Sequence, residues 1–147
     1  MATHPPVPGA ERDVGPLNAP SLHFDLDGEV RRLWRENASR VGRNAKTLAK
    51  QDDFRVVLTV LKAGRRIQEH KAAGRISIQA VQGHIRVRTG PESSSEPIDL
   101  PAGRLLVLDR GVRHDVEALT DSAFLLTVAW PAGEREERPV APPSSVD

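Results

Sequence analysis

The sequence predicts an all-β fold, a sandwich or closed barrel of short strands, and three observations carry that prediction. Between residues 45 and 130, β-branched and other apolar residues alternate in period two over nine segments: AKTLAK, FRVVLTVLK, RIQEH, RISIQAVQ, HIRVRT, EPIDL, RLLVL, HDVEAL and SAFLLTVAW. Turn signals at Gly64, Gly74, Gly83, Gly90-Pro91, Pro101-Ala102-Gly103 and Arg110-Gly111 punctuate them at intervals of about 7 to 13 residues. Two stretches, residues 64–83 and 103–118, each set a single histidine, His70 and His114, between glycine turns. Together they point to a small barrel with a site in its mouth.

Taken in order, residues 1–20 carry five prolines and little apolar content, and residues 131–147 carry four more with the charge run EREER. Neither end can bury enough surface to offset its ordering entropy, so both are expected to be flexible tails. LHFDL at 22–26 has strand-like alternation and is left open as an arm that could dock on a partner. Asp27 is the expected N-cap of one short amphipathic helix over GEVRRLWRE, with Val30, Leu33 and Trp34 at i, i+3, i+4 forming a stripe that would cover an open end of the barrel. The expected division is a Pro-rich tail at 1–20, an N-terminal extension with the helix at 21–44, the barrel at 45–130 and a C-terminal tail at 131–147. GPESSSEP, residues 90–97, is the most polar loop and the natural place for length variation.

The totals exclude several functions. A chain of 147 residues can bury a self-sufficient core as one domain. Zero cysteines remove disulfides, thiolate metal sites and a cysteine nucleophile together, which suits a reducing cytoplasm, so any metal would need His, carboxylate or water. No apolar run approaches the ~20 residues of a membrane span, and the N-terminus lacks a signal-peptide core. A soluble, cytoplasmic protein without a membrane partner is therefore expected. The net charge of +1 gives no overall bias toward polyanions, and five aromatics without a tyrosine argue against a base-stacking nucleic-acid surface. Residues 31–50 nevertheless hold seven basic residues against Glu36 alone. They are either a solvated helix face and strand edge or a patch for an acidic partner. No Ser-His-Asp elbow, P-loop or GxGxxG is present.

The two histidine stretches resemble the two motifs of the cupin superfamily. Gly64, His70 and Gly83 fall at the positions of the first motif, and Gly103, Gly111 and His114 at those of the second. The resemblance spans roughly residues 45–130 and implies a cupin-type double-stranded β-helix, a jelly-roll barrel. It also implies a site at the barrel mouth where relatives with the full ligand set hold Fe, Mn, Ni, Cu or Zn and run dioxygenase, isomerase or related chemistry. This chain departs from the pattern. Ala72 and Ile76 stand where the first motif has its second histidine and its glutamate, and Asp109 and Ala118 replace the second motif's proline and asparagine.

The candidate ligand-binding residues are His70, Gln79 and His114, with His70 and His114 also the candidate ligands of a weakly held divalent transition metal. Glu69, Lys71 and Asp115 have the wrong parity to join them, as does Glu117 unless a bulge intervenes. Gln79, a polar residue inside ISIQAVQ, is either a pocket hydrogen-bonder or an outward residue in a subunit contact, and His84 begins a strand beside a turn. Without a metal, two imidazoles facing an apolar pocket could bind a small carboxylate or an enolisable carbonyl compound, or serve as acid and base. Arg86 and Arg88 share the strand face opposite Ile85 and Val87, an outer face. The expected function is a small-molecule-binding cupin. A metal-dependent cupin enzyme such as a dioxygenase or isomerase, and an interaction protein using residues 31–50, are the alternatives. A homodimer is expected because jelly rolls of this size expose sheet edges.

Overall fold

The structure, a computed structural model, describes residues 17–38, 41–70, 73–90 and 96–131, with backbone only at 37, 38, 69 and 70. The expected tails therefore lie almost wholly outside the described residues, as does Ala72.

All nine alternating segments form strands: β1 Arg43–Gln51, β2 Phe54–Leu61, β3 Arg66–His70, β4 Arg75–Gln82, β5 His84–Thr89, β6 Ile98–Pro101, β7 Leu105–Leu108, β8 His114–Ala118 and β9 Ser122–Ala129. They build a five-stranded sheet in the order β1-β2-β9-β4-β7 and a four-stranded sheet in the order β3-β8-β5-β6, antiparallel throughout. The chain crosses repeatedly between the two sheets, as expected of a jelly roll. Gly83 shows why one turn needs glycine. Its φ is +81°, and a Cβ there would sit 2.3 Å from the Asp121 carbonyl oxygen.

Period-two alternation becomes two hydrophobic layers. Between the sheets, Leu61, Ile67, Ile76, Ile78, Ile85, Val87, Val116 and Phe124 form the barrel core. On the outer face of the five-stranded sheet, Leu48, Leu58, Val60 and Ala123 form a second core with Val30 and Leu33 of helix α1, Leu26–Leu33. Leu58 and Val60 are fully buried beneath this layer. At about 1.5–3 kcal/mol per large aliphatic side chain, that cover makes the N-terminal extension part of the folded unit. Polar contacts fix its seat: Lys46 Nζ lies 2.9 Å from Glu29 Oε1, and Asn44 Nδ2 donates to the Leu33 carbonyl at 3.0 Å. The second bond satisfies a backbone acceptor at the helix end. The stripe thus covers the outside of a sheet rather than an end of the barrel.

The helix also starts two residues earlier than expected. Asp25 is the N-cap, through its backbone: the Glu29 amide donates to the Asp25 carbonyl at 3.0 Å, and no side-chain cap forms. Asp27 falls in the first turn, where its charge suits the positive end of the helix dipole. A π-helical turn, Trp34–Ala38, extends the helix. Residues 22–26 alternate in burial but form no ladder. Leu22, Phe24 and Leu26 instead line an apolar cavity of about 390 Å³ with Leu48, Val56 and Leu125, outside the barrel. No described helix is long and apolar enough to cross a membrane.

Candidate functional site

Four connections lie at the same end of the barrel: β1 to β2, β3 to β4, β5 to β6 and β7 to β8. The strand ends there bring His70 and His114 together. In the β3–β8 ladder Ile67 faces Val116 and His70 faces His114, so β3 carries one more residue than β8 between the two pairs. That bulge changes the parity of β3. Ile67 belongs to the barrel core, and a regular strand would put residue 69, not 70, back on the interior register. The row continues into β5, where Thr89 pairs with His114.

His114 is 4% exposed and shares the interior face of β8 with Val116 and Ala118. Its Nδ1 lies 3.1 Å from the Val112 carbonyl oxygen. A carbonyl only accepts, so Nδ1 carries a proton, and in the neutral ring Nε2 is the acceptor. The short Val112–His114 link therefore fixes both the ring's tautomer and its orientation.

The outer face of the same sheet is charged. Asp115, whose side chain is fully buried, accepts a bond of 2.7 Å from Arg66 Nη2. Arg88 Nη1 binds Glu117 Oε1 at 2.9 Å, and Arg86 Nε binds Asp99 Oδ1 at 2.7 Å. The hydrogen bond from Arg86 holds the Asp99 carboxyl below its ordinary value and raises the arginine in turn. His84 Nε2 stands 3.7 Å from Asp99 Oδ2 in this outer network, away from the barrel interior. The parity expected of Asp115, Glu117, Arg86 and Arg88 matches these positions.

Gln79 is exposed on the outer face of the five-stranded sheet, opposite Leu105, and is not brought toward His114. Its neighbours Leu105 and Val107 are 58% and 63% exposed. Of the basic residues in 31–50, Arg32 and Lys46 both reach Glu29, while Arg31, Arg35, Arg43 and Lys50 are exposed. Arg40 lies outside the described residues.

One residue absent from the sequence-derived candidates stands at the histidine end. Arg55 pairs with Val128, which pairs with Ile76, which pairs with Leu108, forming a row across β2, β9, β4 and β7. Val128, Ile76 and Leu108 belong to the barrel core, whereas the next residue, Val56, lines the outer cavity. Arg55 therefore sits on the interior face, half-buried, with its Nε shielded from solvent. Interior-facing Val57, Leu126 and Leu106 are partly buried in the same row as fully buried Ile78, while Ile76, Val128 and His114, nearer the histidine end, are buried.

The donors at this end do not fit a resident transition metal. Ile76, at the position of the motif's glutamate, is buried among apolar side chains, and Ala72 stands at the position of its second histidine. The row opposite the histidines adds a guanidinium, which opposes a cation.

No protein-family model and no curated protein matches the sequence. Solved structures do. A conserved protein of unknown function from Streptococcus pyogenes superposes with a TM-score of 0.56 at 21% identity, over 62% of this chain and 76% of that one. A cupin superfamily protein from Desulfitobacterium hafniense gives 0.56 at 17% identity, over 60% and 78%. KdgF from a Halomonas species gives 0.53 at 23%, over 61% and 82%. The two-sheet barrel superposes on these neighbours, and the fold of this chain is that of the cupin superfamily.

Proposed function

We propose that this protein is a small-molecule-binding cupin whose ligand enters the histidine end of the barrel and meets His114 and His70. The observation that carries the proposal is the seating of His114: buried on the interior face, opposed to His70, with Nδ1–H given to the Val112 carbonyl. In that tautomer the ring accepts a hydrogen bond from a ligand hydroxyl, enol or acid, or takes its proton as a base. The partly buried apolar residues toward the mouth would exclude water from the ligand's apolar part.

A metal-dependent dioxygenase or isomerase is the competing reading, favoured by the same tautomer, since a metal-ligating histidine commonly donates its other ring N–H to a carbonyl. The donor set argues against it. We also propose a cytoplasmic homodimer, supported by the exposed Leu105 and Val107 on edge strand β7.

Ligand-observed NMR against a library of small acids and carbonyl compounds tests the binding reading, with His114→Ala and His70→Ala as controls. Compounds that bind the native chain should lose affinity in His114→Ala. Binding undiminished in both variants would place the ligand elsewhere.

A further inference from the structure

We propose that edge strand β7 pairs antiparallel with β7 of a second copy, Leu105 opposite the partner subunit's Val107, so that the two five-stranded sheets become one. The inference rests on the homodimer reading above and assigns it a surface and a register.

The two sheets end at β1 and β7 and at β3 and β6. An unpaired edge invites another strand, and proteins blunt it with bulges, charges or proline. Three of these edges carry such devices. β1 has a bulge between Thr47 and Ala49 and holds Arg43, Lys46 and Lys50. β3 holds Arg66 and the bulge between Ile67 and His70. β6 begins just after Pro97 and ends on Pro101, and proline cannot donate to a ladder. β7 is different. Its ladder residues, LLVL, include no proline and no charge, and their register with β4 is unbroken. Leu105 and Val107 are also the most exposed large hydrophobic residues of those described. An aliphatic edge with none of the guards of the other three is explained by a strand that covers it.

The backbone points the same way. The Ala80 amide donates to the Arg104 carbonyl at 3.0 Å. Opposed residues of an antiparallel pair alternate between bonded and non-bonded, so Leu106 and Leu108 turn their backbone groups toward β4. Those of Leu105 and Val107 turn to the side where the sheet ends.

The edge is complementary to itself in one register. A two-fold axis through Leu106 sets Leu105 opposite the partner subunit's Val107, and the reverse, and closes about four N–H···O=C bonds. It also lays the Arg104 end of each strand beside the Asp109 end of the other. An axis through Val107 would instead oppose Leu105 to the partner's Asp109 and Arg104 to the partner's Arg110, a like-charge pair. An axis through Leu105 would leave Val107 facing the partner's Gly103. Only the first register matches apolar to apolar and unlike charge to unlike, and this match identifies the occupant as a second copy.

The test uses the full chain. Size-exclusion chromatography with light scattering over a concentration series gives its dimer dissociation constant. Leu105→Lys and Val107→Lys should each weaken the dimer at least about ten-fold, because each brings like charges to an apolar strand pair. Both side chains are exposed, and unchanged far-UV circular dichroism shows that the variants are folded. The chain has no cysteine, so single cysteines report the register. Leu106→Cys, opposed to its own copy, should oxidise to a covalent dimer on non-reducing gels, ahead of Val107→Cys. A dimer undiminished in both lysine variants, or Val107→Cys linking ahead of Leu106→Cys, overturns the proposed pairing and leaves the homodimer reading standing. A monomer at every concentration contradicts both.

Discussion

His70 and His114 occupy directly opposed positions on β3 and β8, and they do so because β3 carries a bulge between Ile67 and His70. Opposed residues of an antiparallel pair have Cα atoms about 4.5–5.5 Å apart, inside the range a disulfide spans. The chain has no cysteine of its own, so the register can be read chemically. The double variant His70→Cys/His114→Cys should oxidise to an intramolecular disulfide, detected as a mass loss and a mobility shift on non-reducing gels. Glu69→Cys/His114→Cys, the pair a regular strand would oppose, should remain a dithiol. The opposite pattern would mean that the bulge lies elsewhere.

The strand that carries His70 is tied to the strand that carries His114 by Arg66 and Asp115. The carboxylate is fully buried while the arginine is 48% exposed, so the two halves of the pair are unequal. Arg66→Met leaves a buried charge without its guanidinium and should lower stability by about 2–4 kcal/mol. Arg66→Met/Asp115→Leu should recover most of that loss, because the charge is gone as well. Urea midpoints at constant m measure both. Equal losses in the single and the double variant would show that the effect comes from packing.

Asp99 gives a pH dependence of known sign. The hydrogen bonds from Arg86 at 2.7 and 3.2 Å lower its folded pKa below the unfolded value. Its contribution to stability is present above the unfolded value and is lost as pH falls through the folded one. Arg86, shifted upward, stays charged across that window. Both groups lie at the surface, so the effect is small and screened by salt. Urea midpoints measured from neutral into the acid range should fall less steeply in Asp99→Asn than in the native chain at low salt, and the difference should shrink at high salt. Identical slopes would remove Asp99 from the acid response.

Much of this fold is legible in the sequence because a half-buried strand must alternate, and nine segments do. What the sequence leaves open are features that depend on pairing. FRVVLTVLK places Arg55 and Val57 on one face and Val56 and Leu58 on the other, yet both faces of β2 are covered, one by the barrel and one by α1, so alternation does not say which face is interior. Arg55 therefore reads as an ordinary strand charge until Val128 is seen opposite it. The bulge in β3 is equally silent, because RIQEH reads as a regular strand. LHFDL alternates for a further reason: its apolar residues seat against a sheet face without joining a ladder. The helix starts from Asp25 rather than Asp27 with no side-chain cap bond, so side-chain capping preference does not locate its first residue. Gln79 sits in an apolar strand, and its outward position became clear only from its pairing with Leu105.

The central claim is that the histidine end of this barrel is a binding site for a small molecule and not a metal centre. Elemental analysis of protein purified without a histidine tag, after exhaustive dialysis, tests it most directly. The account predicts well under one equivalent of Fe, Mn, Ni, Cu or Zn, with no difference between the native chain and His114→Ala. One equivalent of a single metal, retained through dialysis and lost in both His70→Ala and His114→Ala, would contradict it.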